Sequence, residues 1–140
     1  MKTAEEILLQ KKAYNNIIHP DAKVIDALKQ LSDVNLSYLI VKDEEGVKGI
    51  LSERDYARKV ILQGRSSSVT TVKEIMTTEV PEVQIHDSVE KCMNLLAAHG
   101  RRYIFVMDGK TFAGVITIHD LLREILLHGE RVFDNKILLP

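Results

Sequence analysis

Apolar residues at Val24, Ala27, Leu28 and Leu31 recur at the i, i+3, i+4, i+7 spacing of one helical face, and Val89, Cys92, Met93 and Leu96 do the same further along. Each set predicts an amphipathic helix. A β-rich run follows each, Tyr38 to Val41 and Tyr103 to Val106. A turn comes next, Lys42 to Gly46 in one place and the hairpin-type pair Asp108-Gly109 in the other. Second strands hold Gly49-Ile50-Leu51 and Gly114-Val115-Ile116, and each runs into a further helix. That helix is clearest where Ile118, Leu121, Leu122 and Ile125 share a face. Upstream, Asn16 to Ile18 and Pro81 to Ile85 read as short entering strands.

The pattern is therefore β-α-β-β-α, twice. Sliding the sequence by 65 positions aligns 21–64 with 86–129 without a gap and gives ten identical pairs, among them Tyr38/Tyr103, Gly49/Gly114, Asp55/Asp120 and Arg58/Arg123. Background composition would give roughly two or three, so the chain contains a duplication. The fold class expected is α+β (mixed α/β). A half of this size leaves one face of its small sheet wet, a problem removed if the copies pair sheet against sheet with pseudo-twofold symmetry. The division expected is an N-terminal helix in 1–16, the first copy in 17–66, a connection with a short helix in 67–78, the second copy in 79–130, and a tail in 131–140. Within that connection, "QGRSSSV" reads as flexible and Val72 to Met76 as a helical turn.

Composition narrows the class. With 45% apolar and 28% charged residues in 140, and a net charge of −1, the chain carries no field that would draw it to nucleic acid or anionic lipid. A single cysteine, Cys92, precludes an internal disulfide, suits a reducing compartment and falls on an apolar helix face as core filler. No run approaches the ~18 apolar residues of a membrane span, and the first residues lack the form of a secretory signal. A cytoplasmic protein is expected.

Candidate chemistry sits where each second strand meets its helix. Ser52-x-x-Asp55 and Thr117-x-x-Asp120 have the form of a capping box, the hydroxyl accepting from the third helical N–H and the carboxylate accepting from the N–H of the hydroxyl residue itself. Asp55/Arg58 and Asp120/Arg123 also stand at i, i+3 for weak ion pairs. The same atoms suit a ligand: a carboxylate accepts from a ribose diol, a hydroxyl donates to ribose or phosphate, and a helix N-terminus favours anions. Gly49 and Gly114, inside strands, imply close approach of another backbone or of a ligand. Both interpretations, cap and ligand site, stay open. Neither GxxxxGK[ST] nor GxGxxG occurs, the five histidines lack ligand spacing, and no nucleophile and base stand together, so neither an enzyme nor a metal site is expected.

The stretches "LIVKDEEGVKGILSERDYARKV", "TVKEIMT" and "IFVMDGKTFAGVITIHDLL" resemble the paired cystathionine β-synthase (CBS) domains of a Bateman module, over about 17 to 128, in the manner of small stand-alone prokaryotic members. The resemblance implies regulatory binding of adenine nucleotides (AMP, ADP or ATP), with NAD(H) or S-adenosylmethionine in some relatives, in clefts between the copies, and assembly into homodimers. On that basis Asp55 and Asp120 take the ribose, Ser52 and Thr117 meet ribose or phosphate, and Arg54, His119 and Arg102 reach phosphates, with Tyr103 beside them. Ile40 and Phe105 stand where members often carry proline. Because Arg101-Arg102 answers to Leu36-Ser37, unequal sites are expected, with a single one occupied per chain. The alternative is a ligand-free scaffold that dimerises. Ile7 to Ala13 and Lys136 to Pro140 are candidate surfaces for a regulated protein partner.

Overall fold

A computed structural model describes residues 2–132. It is a mixed α+β structure of two compact units, each built on a three-stranded sheet. In one, β1 (Ile17–Ile18) pairs parallel to β2 (Tyr38–Asp43), which pairs antiparallel to β3 (Gly46–Ser52). In the other, β4 (Glu82–Gln84), β5 (Tyr103–Asp108) and β6 (Thr111–Thr117) repeat that order and sense. The entering helices are α2 (Val24–Val34) and α5 (Val89–His99), each stopped by a left-handed residue, Asn35 or Gly100. After the sheets come α3 (Glu53–Tyr56), which continues as a π-helical turn over Ala57–Ile61, and α6 (Ile118–Val132). The hairpins turn at Glu44 and Glu45 and at Gly109 and Lys110, and the predicted strands are all present, the hairpin pair longer than the apolar runs alone indicate.

The units do not follow chain order. The stretch up to Lys12 belongs with the chain from Val80 onward, while Ala13–Glu79 forms the other unit. Helix α1 (Ala4–Gln10) thus packs on the second copy, where Ala4 and Ile7 join Val89, Cys92, Leu96, Ile104 and Ile116 in its core. Helix α4 (Val72–Ile75) does the same for the first copy, where Val72 and Ile75 join Val24, Leu31, Leu39 and Leu51. Aligned with a shift of 68, Thr3-x-x-Glu6-Ile7 matches Thr71-x-x-Glu74-Ile75, and both boxes close as caps.

Their backbone clamps match too. The N–H of Ala4 donates to Asp87 O at 2.8 Å and that of Val72 to Ala22 O at 2.9 Å; Glu5 donates to Ile85 O and Lys73 to Pro20 O, each at 2.9 Å. The segment expected to be a flexible connection is instead pinned. Lys23 gives α2 no side-chain cap, so Val24 and Ile25 donate to the carbonyls of Thr70 and Ser67, each at 2.9 Å, and Thr70 is buried.

Two helical details depart from the periodicity. Leu122 is 43% exposed, while Glu124 is buried at 4%. In the first copy the π turn rotates Val60 fully into the core and leaves Lys59, which answers to Glu124, partly exposed. The tail Lys136 to Pro140 lies outside the described residues.

Candidate functional site

Each strand-to-helix corner begins with a conformational change from extended to helical at the hydroxyl residue, Ser52 at φ −117°, ψ 163°, followed by Glu53. The amide of Ser52 donates to Asp55 Oδ2 at 3.0 Å, and the amide of Asp55 donates to Ser52 Oγ at 3.2 Å. In the second unit Thr117 N donates to Asp120 Oδ2 at 2.8 Å and Asp120 N to Thr117 Oγ1 at 3.2 Å. The capping box is therefore real in both copies despite the shorter aspartate. Across the sheet, Tyr38 stands opposite Ser52 and Tyr103 opposite Thr117.

The helix N-termini offer an anion less than the sequence implied. Glu53 N donates to Ser37 O at 3.0 Å and Ile118 N to Arg102 O at 2.9 Å. With the first and third amides taken, those of Arg54 and His119 are left in the first turns as far as the described residues are concerned. The side chains of Arg54, His119 and Arg102 are exposed, and Tyr103 is half-buried.

The carboxylates have partners that local spacing does not reveal. Asp55 Oδ2 accepts from Ser52 Oγ at 3.0 Å, and its Oδ1 accepts from Thr77 Oγ1 and from Lys59 Nζ, each at 2.9 Å. Lys59 also reaches the Ile75 carbonyl at 2.9 Å. Arg58 does not make the expected pair with Asp55; Lys59, one residue on, takes its place. In the second unit Lys11 Nζ donates to Asp120 Oδ2 and to the Val115 carbonyl, each at 2.8 Å, while Arg123 lies 3.9 Å from Oδ1.

The difference traces to where α4 and α1 end. Two threonines, poor helix formers, follow Met76, and the chain turns extended, so Thr77 exchanges two backbone hydrogen bonds with Ile50 at 2.8 and 2.9 Å. In α1 the helix formers Leu8, Leu9 and Gln10 prolong the helix. Lys11 then meets, through its ammonium, the carbonyl of Val115, which answers to Ile50. These contacts explain the strand glycines: a Cβ on Gly49 would lie 2.5 Å from the Thr77 carbonyl oxygen, and one on Gly114 2.9 Å from Leu8 Cδ2. Neighbouring chain fills the space at both.

Sequence reasoning missed Lys11, Lys59 and Thr77. Lys59 carried a signal, the i, i+4 spacing from Asp55. The other two lie far along the chain and carried none. Cys92 is buried, and burial pushes its thiol up to about 11. Among the described residues no cluster of histidine, cysteine and carboxylates is arranged to hold a metal, and no helix is long and apolar enough to cross a membrane.

A duplicated β-α-β-β-α unit with a hydroxyl-x-x-aspartate cap at its second strand end defines a class, and comparison supplies its name. A CBS domain profile matches residues 6–61 and again 72–127. The chain belongs to the CBS domain family, as a tandem pair. It is 35% identical over 111 residues to the mitochondrial CBS domain-containing protein CBSX3 of Arabidopsis thaliana, covering 76% of this chain but only 54% of that protein. A protein with CBS domains from Burkholderia ambifaria MC40-6 is 34% identical, with a TM-score of 0.80 over 99% of this chain and 98% of its own. A hexameric CBS-CP12 protein from bloom-forming cyanobacteria is 30% identical, with a TM-score of 0.76 over 99% and 77%.

Proposed function

We propose that this chain is a regulatory module that binds an adenine nucleotide (AMP, ADP or ATP, with NAD(H) as a further ligand) and passes a change of conformation or assembly to another chain. Binding rather than turnover is its role. The observation that carries the reading is the duplicated corner: a carboxylate, buried at Asp55 and part-buried at Asp120, and a buried hydroxyl fixed by reciprocal caps at the same position of both repeats. Fixed acceptors of this kind suit a ribose diol, since each hydroxyl-to-carboxylate bond is worth about 1.5–3 kcal/mol and the carboxylate loses no rotamer freedom on binding. The exposed Arg54, His119 and Arg102 flank the corners and would meet phosphates.

Self-association is the output best supported. Ile61-Leu62 and Leu126-Leu127 are exposed at repeat-equivalent positions, from 58% at Ile61 to 84% at Leu126. Such pairs suit burial against a second copy in a homodimer or larger assembly, in keeping with the hexameric relative.

The same observation favours a second reading, a scaffold without ligand, because Lys11, Lys59 and Thr77 already engage the carboxylates. A thermal-shift panel with AMP, ADP, ATP, NAD+ and NADH separates the two. Ligand at ~100 times its dissociation constant adds about 2.7 kcal/mol, or roughly 5–10 °C for a chain of this size. Shifts below about 1 °C with all five at millimolar concentration would leave the scaffold reading standing.

A further inference from the structure

Resting on the nucleotide reading, we infer that each chain carries one working diol site, at Asp120, and that Asp55 is a structural carboxylate. Burial does not separate them: the side chains are 8% and 9% exposed. Acceptor capacity does. A carboxylate offers about four lone-pair positions. At Asp55 four donors fill them, Ser52 N and Ser52 Oγ on Oδ2, Thr77 Oγ1 and Lys59 Nζ on Oδ1, all at 2.9–3.0 Å.

At Asp120 both donors within hydrogen-bond distance, Thr117 N and Lys11 Nζ, fall on Oδ2. Among the described residues Oδ1 has only Arg123, 3.9 Å away with a side chain that is 69% exposed. One oxygen therefore remains to accept from a vicinal diol without breaking any contact that holds the fold.

The hydroxyls divide the same way, as an independent observation. Ser52 donates its proton to Asp55. Thr117, equally buried at 8%, only accepts, from Asp120 N, so its O–H is left for a ligand oxygen. Lys11 holds the Asp120 carboxylate in place through a 2.8 Å ion pair, which makes it a positioning residue of this site. The contrast comes from the exchange described above, in which Thr77 lays both a hydroxyl and a backbone along the first corner where Lys11 lays one ammonium along the second.

The test uses the whole chain. Calorimetric titration with AMP is expected to give one site per chain, and two-dimensional amide NMR is expected to show the largest shifts at Thr117 to Asp120 and small ones at Ser52 to Asp55. Asp120→Asn, with its spectral dispersion checked, is expected to weaken AMP at least 10-fold. Two equivalent sites, or the largest shifts at Ser52 to Asp55, would overturn the assignment while leaving nucleotide binding intact. An absence of heat and of amide shifts with AMP, ADP, ATP and NADH would remove both. The wild-type spectra decide the matter even if Asp120→Asn does not fold.

Discussion

Truncating the two aspartates should cost the fold unequal amounts. In Asp55→Ala, the buried amide of Ser52 and the part-buried hydroxyl of Thr77 both lose their acceptor. Loss of a capping side chain costs ~0.5–2 kcal/mol, and each stranded donor adds about 1 kcal/mol or more. Lys59 is 43% exposed and returns to water, so its ion pair contributes little. The expected total is roughly 3–4 kcal/mol. In Asp120→Ala the cap is lost in the same way, but Lys11 keeps the Val115 carbonyl, and among the described residues no hydroxyl corresponding to that of Thr77 is stranded. About 1–2 kcal/mol is expected. Urea denaturation followed by circular dichroism measures both, provided the slope is unchanged. If the transition splits, each substitution should move the phase of its own unit. Equal losses, or a larger one for Asp120→Ala, would refute the donor accounting on which the asymmetry rests.

The glycines give a second paired contrast. Gly49→Ala places a Cβ against the Thr77 backbone carbonyl and must open the Ile50 to Thr77 bridge, for about 2–3 kcal/mol, whereas Gly114→Ala displaces only the end of the Leu8 side chain and should cost under about 1.5 kcal/mol by the same denaturation measurement. Glu124 is buried, has an oxygen without a hydrogen-bond partner among the described residues and meets Lys2 at 3.5 Å. Glu124→Met should therefore be neutral or raise the melting temperature, and a loss above about 2 kcal/mol would show that the pair is worth more than its geometry indicates. Cys92, with its thiol pushed up to about 11, should resist iodoacetamide at pH 8 in the native chain and react on unfolding. Since the folded state holds that proton more tightly, its contribution to stability is complete below the ordinary thiol value of 9.0 and declines as pH rises toward 11. Cys92→Ala should blunt this alkaline decline.

Much of this architecture is written in short-range pattern. The hairpins and the hydroxyl-x-x-aspartate caps are set by residues within a few positions of one another, and the 65-residue repeat shows when the sequence is laid against itself. The placement of α1 on the second copy is not local. Its equivalence to α4 is hidden because Thr3-x-x-Glu6-Ile7 aligns at a shift of 68 rather than 65, and only core packing of Ala4 and Ile7 reveals it. The apolar face assigned to α6 failed at Leu122 because the helix is covered from the α5 side and from the sheet, which buries Leu121 and Glu124 instead. Likewise the ion pair expected between Asp55 and Arg58 gave way to Lys59, whose ammonium also reaches the Ile75 carbonyl. Thr77 on Asp55 and Lys11 on Asp120 are contacts made across long stretches of chain, and no spacing rule announces them.

The central claim, that a fixed carboxylate grips a sugar's two hydroxyls, is tested most directly by removing those hydroxyls from the ligand. Affinities of AMP and of 2′,3′-dideoxy-AMP should be compared by calorimetry on the same protein. The account predicts that the dideoxy compound binds at least 10-fold more weakly, and that the gap closes in Asp120→Asn. Equal binding of the two nucleotides to the unaltered chain would contradict it.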